Sequence, residues 1–290
     1  MDSPQPASQP VVEERFVAYE GGTLRYVIGG SGPPMVLCHG FIGAAENFDT
    51  WLSALLPRRT VVIPDLPGFG KSSPLIGRHS PAALARAVVT AADHAGVDRY
   101  DIAGLCLGSS IAMALQRHRP QSARRVILHT PLLRPDLVRR RFHMQVDIMT
   151  APGVWPAIVW LGHRRVVSDL YKRLMVEGSD VDPVAAQINF DNQMRATPRA
   201  AREWLHDGLR CDEVALLHQT TQPVMIIAAR HDRIIDVRRI EQTLGGRANV
   251  HVALIDDAGH AWTKEMGARQ NAAIAAFLDG RPVPGALAAA

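Results

Sequence analysis

The sequence predicts an α/β chain built on a mostly parallel sheet with helices on both faces. Three observations predict it. Short apolar runs, too compact for helices, recur at Pro34–Cys38, Thr60–Ile63, Arg125–His129, Pro223–Ala228 and Val250–Ile255. Amphipathic stretches of helical length alternate with them, which is the pattern of a sheet buried on both faces. At Tyr100–Met113 a strand passes into a helix through the tight turn Gly104-Leu105-Cys106-Leu107-Gly108.

In chain order, Arg15–Tyr19 and Leu24–Ile28 read as short strands joined at a turn containing Glu20-Gly21-Gly22, a hairpin signal. After Pro34–Cys38, a helix over about residues 45–56 carries Phe48, Trp51, Leu52 and Leu55 on one face. Ser80-Pro81 starts the next helix, with serine as N-cap and proline in the first turn; that helix stops at Gly96. From Pro131 to about Gln222 strand signals vanish and helical runs take over. Such an interval is too long for a loop within a compact domain and reads as a helical insertion. Strands return at Pro223 and Val250, and a helix over about Lys264–Leu278 closes the fold. The expected organisation is a tail over 1–12, a core from 13–130 and 222–280, a helical cap over 131–221 and a flexible tail over 281–290.

Composition narrows the function classes. The chain has 290 residues, 47% of them hydrophobic, with a formal charge of +4. That small, dispersed excess of charge does not indicate nucleic-acid binding. Three cysteines, Cys38, Cys106 and Cys211, are too few and odd in number for a disulfide framework, so a reducing, cytoplasmic setting is expected. No run is long and apolar enough for a membrane span, and the first ten residues lack the pattern of a secretory signal. The histidines form neither His-Glu-x-x-His nor a Cys/His cluster, so no metal or cofactor is expected. Gly70-Lys71-Ser72 suggests a phosphate loop, but the glycine that motif needs five residues earlier is Asp65. The oligomeric state is not legible from these features.

Active sites of open parallel sheets gather at the carboxyl ends of strands. The third strand ends in His39-Gly40-Phe41, the elbow strand in Cys106, the seventh in Arg230-His231-Asp232 and the eighth in Asp256-Asp257-Ala258-Gly259-His260. A nucleophile at the elbow, then an acid, then a histidine is the chain order that this architecture uses. With these residues in view, the chain resembles the α/β-hydrolase fold superfamily, over about residues 14–130 and 222–280. Gly104-x-Cys106-x-Gly108 stands at the nucleophile elbow, His39-Gly40 at the oxyanion loop, and Asp65-Leu-Pro-Gly-Phe-Gly-Lys-Ser72 at the Asp-x-x-Gly-x-Gly-x-Ser loop. Asp232 stands at the acid position, where Ala229 replaces the usual glycine, and Gly259-His260 at the histidine. The departure is cysteine for the usual serine.

By position, the resemblance implies that Cys106 attacks a carbonyl, His260 moves the proton and Asp232 orients the imidazole. The backbone N–H groups of Phe41 and Leu107 would form the oxyanion hole, worth about 3–4 kcal/mol per donor. His39 is expected to shape its loop, with Gly40, Gly104 and Gly108 permitting close approach. His129 and Asp136 follow the sixth strand, where an acid can also be placed, but Asp232 fits the motif better. His231, Asp256 and Asp257 read as flanking loop residues. An aspartate nucleophile, as in dehalogenases and epoxide hydrolases, is excluded at position 106.

A cysteine nucleophile gives a thioester intermediate, which forms from another thioester almost isoenergetically. The expected substrate is therefore a small acyl thioester or activated ester, on coenzyme A or a carrier protein as one option, with hydrolysis or acyl transfer as outcome. Alternatives are elimination or cyclisation with His260 as base, and a non-catalytic ligand-binding role. In the insertion, Met144, Ile148, Met149, Trp155, Ile158 and Trp160 are candidates for an acyl pocket. Over 131–173, 8 Lys or Arg face 3 Asp in number, and Arg139–Arg141, Arg164-Arg165 and Lys172-Arg173 could meet a phosphate-bearing carrier if they share a face.

Overall fold

A computed structural model describes residues 12–177, 182–256, 258–260 and 264–286. Eight strands form one sheet: β1 (Val12–Tyr19), β2 (Gly22–Gly30), β3 (Pro34–Cys38), β4 (Thr60–Pro64), β5 (Tyr100–Leu105), β6 (Ala123–His129), β7 (Val224–Ala229) and β8 (Val250–Ile255). Their spatial order is β1-β2-β4-β3-β5-β6-β7-β8. β2 runs antiparallel to both β1 and β4, and every other pairing is parallel.

The apolar runs fill two cores by strict alternation, because successive strand side chains point to opposite faces. Val36, Val62, Ile102, Val126 and Ile226 enter one core. Their neighbours Leu37, Val61, Ala103, Ile127 and Ile227 enter the other. The stretch expected as one helix near residue 45 is a 3-10 turn, Ala45–Phe48, followed by α1 (Asp49–Leu55). Its apolar face is buried as the spacing requires: Phe48, Trp51, Leu52 and Leu55. α2 (Pro81–His94) starts at Ser80, whose side chain accepts from Ala83 N–H. α3 (Gly108–His118) leaves the elbow.

Between β6 and β7 lie α4 (Arg140–Met149), α5 (Trp155–Gly162), α6 (Arg165–Tyr171), a π-helical turn Lys172–Glu177, α7 (Pro183–Arg195), α8 (Pro198–Gly208) and α9 (Val214–Gln219). α10 (Val237–Leu244) and α11 (Lys264–Leu278) flank β8.

The ends differ from expectation. Val12, placed in the N-terminal tail by sequence, pairs with Gly29 in the sheet; residues 1–11 lie outside the described residues. The stretch 281–290 was expected to be flexible, yet it docks as far as Ala286. Leu254 N–H donates to Gly285 O at 3.1 Å, Ala286 bridges to Ala253, and Val283 packs on the core. The physical reason is that β8 is an edge strand, and its outer backbone groups need partners. No helix among the described residues is long and apolar enough to cross a membrane.

Candidate active site

The elbow is a close approach of three backbones that side chains would prevent. A Cβ on Gly104 would lie 2.6 Å from Ser109 Cα, and one on Gly108 would lie 2.3 Å from His39 O. Cys106, between them, has φ +54°, a left-handed conformation that costs a non-glycine residue about 1–3 kcal/mol. It persists because its surroundings hold it. Cys106 N–H donates to His129 O at 2.8 Å, and Cys106 O accepts from Leu132 and Ser109. The side chain is thereby turned out of the sheet at the start of α3.

His260 meets it. His260 Nε2 lies 3.2 Å from Cys106 Sγ, and Nδ1–H donates to Asp232 Oδ2 at 2.7 Å. The other oxygen, Asp232 Oδ1, accepts from Ile234 N–H at 2.7 Å and Ile235 N–H at 2.9 Å. The carboxylate is buried, with both oxygens hydrogen-bonded. Burial of His260 opposes its protonation. The negative charges of Asp232 and of the Cys106 sulfur outweigh that and hold the imidazole well above its ordinary value. The three candidates, 154 and 28 residues from His260 in sequence, thus form one hydrogen-bonded line.

Phe41 and Leu107, whose N–H groups sequence assigns to the oxyanion hole, both line the cavity beside Cys106, as does Gly40. His39 is buried away from the chemistry. Its Nδ1–H donates to Gly40 O at 2.9 Å and its Nε2 accepts from Leu66 N–H at 3.0 Å, so it ties two loops together. Burial pushes its pKa down. The Asp65 loop has no room for a phosphate, because the carboxylate already fills the turn. Asp65 accepts from Ala45 N–H, Lys71 N–H and the Arg25 guanidinium.

The remaining sequence candidates separate clearly. Asp136 is paired with Arg134 and Asp256 with Arg230, both at the surface; Asp257 lies outside the described residues. His129 is fully buried behind the elbow. Burial and the nearby His260 push its imidazole down to about 3, so it is a neutral part of the floor. Of the other thiols, Cys38 is buried and Cys211 half-buried, and desolvation pushes both up to about 12. Among the described residues no group of His, Cys, Asp and Glu could hold a metal ion.

Above Cys106 opens a cavity of about 860 Å³. α4 to α6 supply its apolar wall, including Met144, Ile148, Met149, Trp155 and Ile158. Trp160 is a correction. It does not line the cavity; it is 59% exposed and lies beneath the Arg164 guanidinium, 4.9 Å from ring centroid to Arg Cζ. Its chain neighbours Val159 and Leu161 line the cavity, and helix spacing turns the side chain between them outward. Sequence reading missed Asn47 and Asn189, which bring amides to the cavity and hydrogen-bond each other at 2.6 Å. Only the fold brings these two together, across 142 residues.

The sequence model described as "alpha/beta hydrolase fold" matches residues 33–262. The chain belongs to the α/β-hydrolase fold family. Among relatives of this family member, haloalkane dehalogenase 2 of Mycobacterium tuberculosis is 32% identical over 203 residues, 69% of this chain and 68% of that one. The dihydrolipoyllysine-residue acetyltransferase component of an acetoin cleaving system from Cupriavidus necator is 26% identical over 280 residues, 92% and 69% of the two chains. An N-acyl homoserine lactonase mutant complexed with N-hexanoyl homoserine superposes with a TM-score of 0.75 at 18% identity, covering 93% of this chain and 97% of that one. A thermophilic esterase from Thermogutta terrifontis gives 0.75 at 22%, covering 94% and 99%. At these identities the two structures establish the fold.

Proposed function

We propose that this α/β-hydrolase-fold enzyme cleaves or transfers the acyl group of an ester or thioester through an acyl-Cys106 intermediate. The observation that carries the reading is the line Sγ–Nε2 (3.2 Å) and Nδ1–Oδ2 (2.7 Å) at the floor of an apolar cavity. A thiol that merely filled space would need neither the strained backbone nor the oriented imidazole.

In the forward step Cys106 sulfur, its proton held on His260, bonds to the substrate carbonyl carbon. The C=O π pair moves to oxygen, where the Phe41 and Leu107 N–H groups would receive it. Collapse expels the leaving thiolate or alkoxide, which takes the proton from His260. Water or another acceptor then attacks the thioester as His260 removes its proton, and Cys106 leaves. Asp232 stabilises the imidazolium in both halves. The acetyltransferase and lactonase names among the similar proteins support acyl chemistry in this fold. Dehalogenation is not carried over, because an attacking carboxylate would be needed at position 106.

The test is intact-protein mass spectrometry with a panel of acyl thioesters and activated esters. Wild type should gain one acyl mass, and Cys106→Ala should gain none, with turnover lowered at least about 10⁴-fold. Chasing the adduct with water or amines separates hydrolysis from transfer. An enzyme that turns over substrate equally well with alanine at 106 would instead use His260 as a base for elimination or cyclisation. Binding without turnover would leave a ligand-binding role.

A further inference from the structure

A relay of amides joins the loop 39–44 to α7 along one side of the cavity. Asn47 lies against that loop. A Cβ on Gly43 would meet its Oδ1 at 2.5 Å, and one on Gly40 would lie 3.3 Å from Cys106 Cβ. Ala44 N–H donates to Asn47 Oδ1 at 2.8 Å. A backbone N–H can only donate, so this contact fixes which end of the Asn47 amide is oxygen. Its Nδ2 is thereby turned to α7, where it donates to Asn189 Oδ1 at 2.6 Å. Asn192, buried on the same helix, adds its own Nδ2–H to Asn47 Oδ1 at 3.0 Å. Two donors cannot face each other, so Asn189 presents its oxygen to Asn47 and keeps its Nδ2 for another acceptor. Among the described residues nothing accepts from it, and Asn189, half-buried, lines the cavity. Gln193, a further α7 amide on the lining, differs. Its Nε2 donates to Gly162 O at 2.7 Å and its Oε1 accepts from Ser168 at 3.1 Å.

We infer that Asn189 Nδ2 binds an uncharged oxygen in the acyl part of the substrate, a ketone or hydroxyl separate from the scissile carbonyl. An oxygen set among Met144, Ile148 and Trp155 of the same cavity would lose its water with nothing in return. One set at Asn189 keeps a hydrogen bond. The relay therefore selects where along the chain the oxygen stands. Asn47 is a positioning residue that acts through Asn189. The inference rests on the acyl-Cys106 reading and names its substrate class, and its test does not depend on the thiol.

The measurement is calorimetric titration, in the Cys106→Ala background, of S-ethyl octanethioate and of derivatives carrying one ketone or one hydroxyl at successive chain carbons. Each affinity is read relative to the parent thioester, a ratio that general loosening of the helical segment would not move. At one chain carbon that ratio should fall at least about fivefold on Asn189→Leu, because the oxygen is then buried unpaired. At the other carbons it should change by less than about twofold. Whichever oxygen binds better at the selected carbon identifies ketone or hydroxyl as the partner. Asn47→Asp tests the contact without shrinking either side chain. Both carboxylate oxygens accept, so Asn189 must turn its Nδ2 toward position 47 and its Oδ1 to the cavity. The selected ketone should then lose its advantage, and the hydroxyl compound, which can donate, should gain on it at least about threefold. Ratios unmoved by Asn189→Leu at every carbon overturn the inference. So does an equal fall at all of them, or a ketone advantage that survives Asn47→Asp. Failure of the acyl-Cys106 reading shows separately, as the absence of an adduct on wild type.

Discussion

Helices α5 and α8 belong to the same segment between β6 and β7, and they reverse the usual link between composition and burial. α5, Trp-Pro-Ala-Ile-Val-Trp-Leu-Gly, has no charged residue and no fully buried one. α8, Pro-Arg-Ala-Ala-Arg-Glu-Trp-Leu-His-Asp-Gly, is dominated by polar side chains, yet buries Ala200, Ala201, Trp204, Leu205 and Gly208. The difference is in arrangement. The buried residues of α8 recur at three- to four-residue spacing and meet the core as one stripe. Trp204 packs edge-on to Phe69 and His39, with ring centroids 5.3 and 6.0 Å away. Glu203, beside it, accepts from both His79 N–H and Nδ1. Despite the cost of burial, those bonds with Arg199 hold the carboxyl down at about 2. α5 is apolar all round because one side faces the cavity and the other faces outward. Trp155 Nε1 links it to α8 by donating to Pro198 O at 3.0 Å. One helix anchors the segment and the other shapes what enters it.

That contrast can be broken by substitution. Trp204→Ala should lose about 3–5 kcal/mol of unfolding free energy in urea, the cost of emptying a large aromatic site in a packed core. A loss below 1 kcal/mol would mean that α8 is no anchor. Trp155→Ala should change stability by only about 1 kcal/mol but raise KM for a medium-chain acyl donor about tenfold, the worth of one apolar wall contact. An unchanged KM would remove α5 from the pocket.

The floor under the cavity offers a pH test. Folded His129 titrates near 3, below the value near 6.5 of an exposed imidazole. The unfolded chain therefore binds the proton first. Stability from this group is complete above about pH 6.5 and falls toward pH 3 by up to about 1.4 kcal/mol per pH unit. His260, shifted the other way, contributes stability that is present below 6.5 and lost as pH rises through its folded value. It therefore adds no slope between pH 6.5 and 5. Urea unfolding at pH 7.5, 6.0 and 5.0 should show the decline in wild type and a flatter profile in His129→Gln. Parallel profiles would contradict it. The smallest effect is expected from Trp160→Ala, within about 0.5 kcal/mol and with kinetics unchanged, since that ring meets solvent and Arg164.

Much of the site was legible because its parts sit at strand ends. The elbow glycines, Cys106, Asp232 and His260 each follow an apolar run, and a parallel sheet delivers such positions to one edge. His39 was legible as a loop residue for the same reason. Trp160 was not, since its neighbours at 155 and 158 are equally apolar and only helix orientation separates them. Asn47 and Asn189 carry no local signal, and Arg139 gives no hint that it would clasp the carbonyl of Asp232. The terminal stretch 281–286 looked loose because its partner, the edge of β8, lies outside its own sequence.

By itself, then, the sequence determined the strands, the elbow and the placing of Cys106, Asp232 and His260 at strand ends. Those depend on short-range periodicity and on turn residues. Only the tertiary structure decided which cap side chains face the cavity, which amides reach it and that α8 rather than α5 is the anchor. Those outcomes depend on contacts between residues far apart in the chain, where composition and spacing carry no direction.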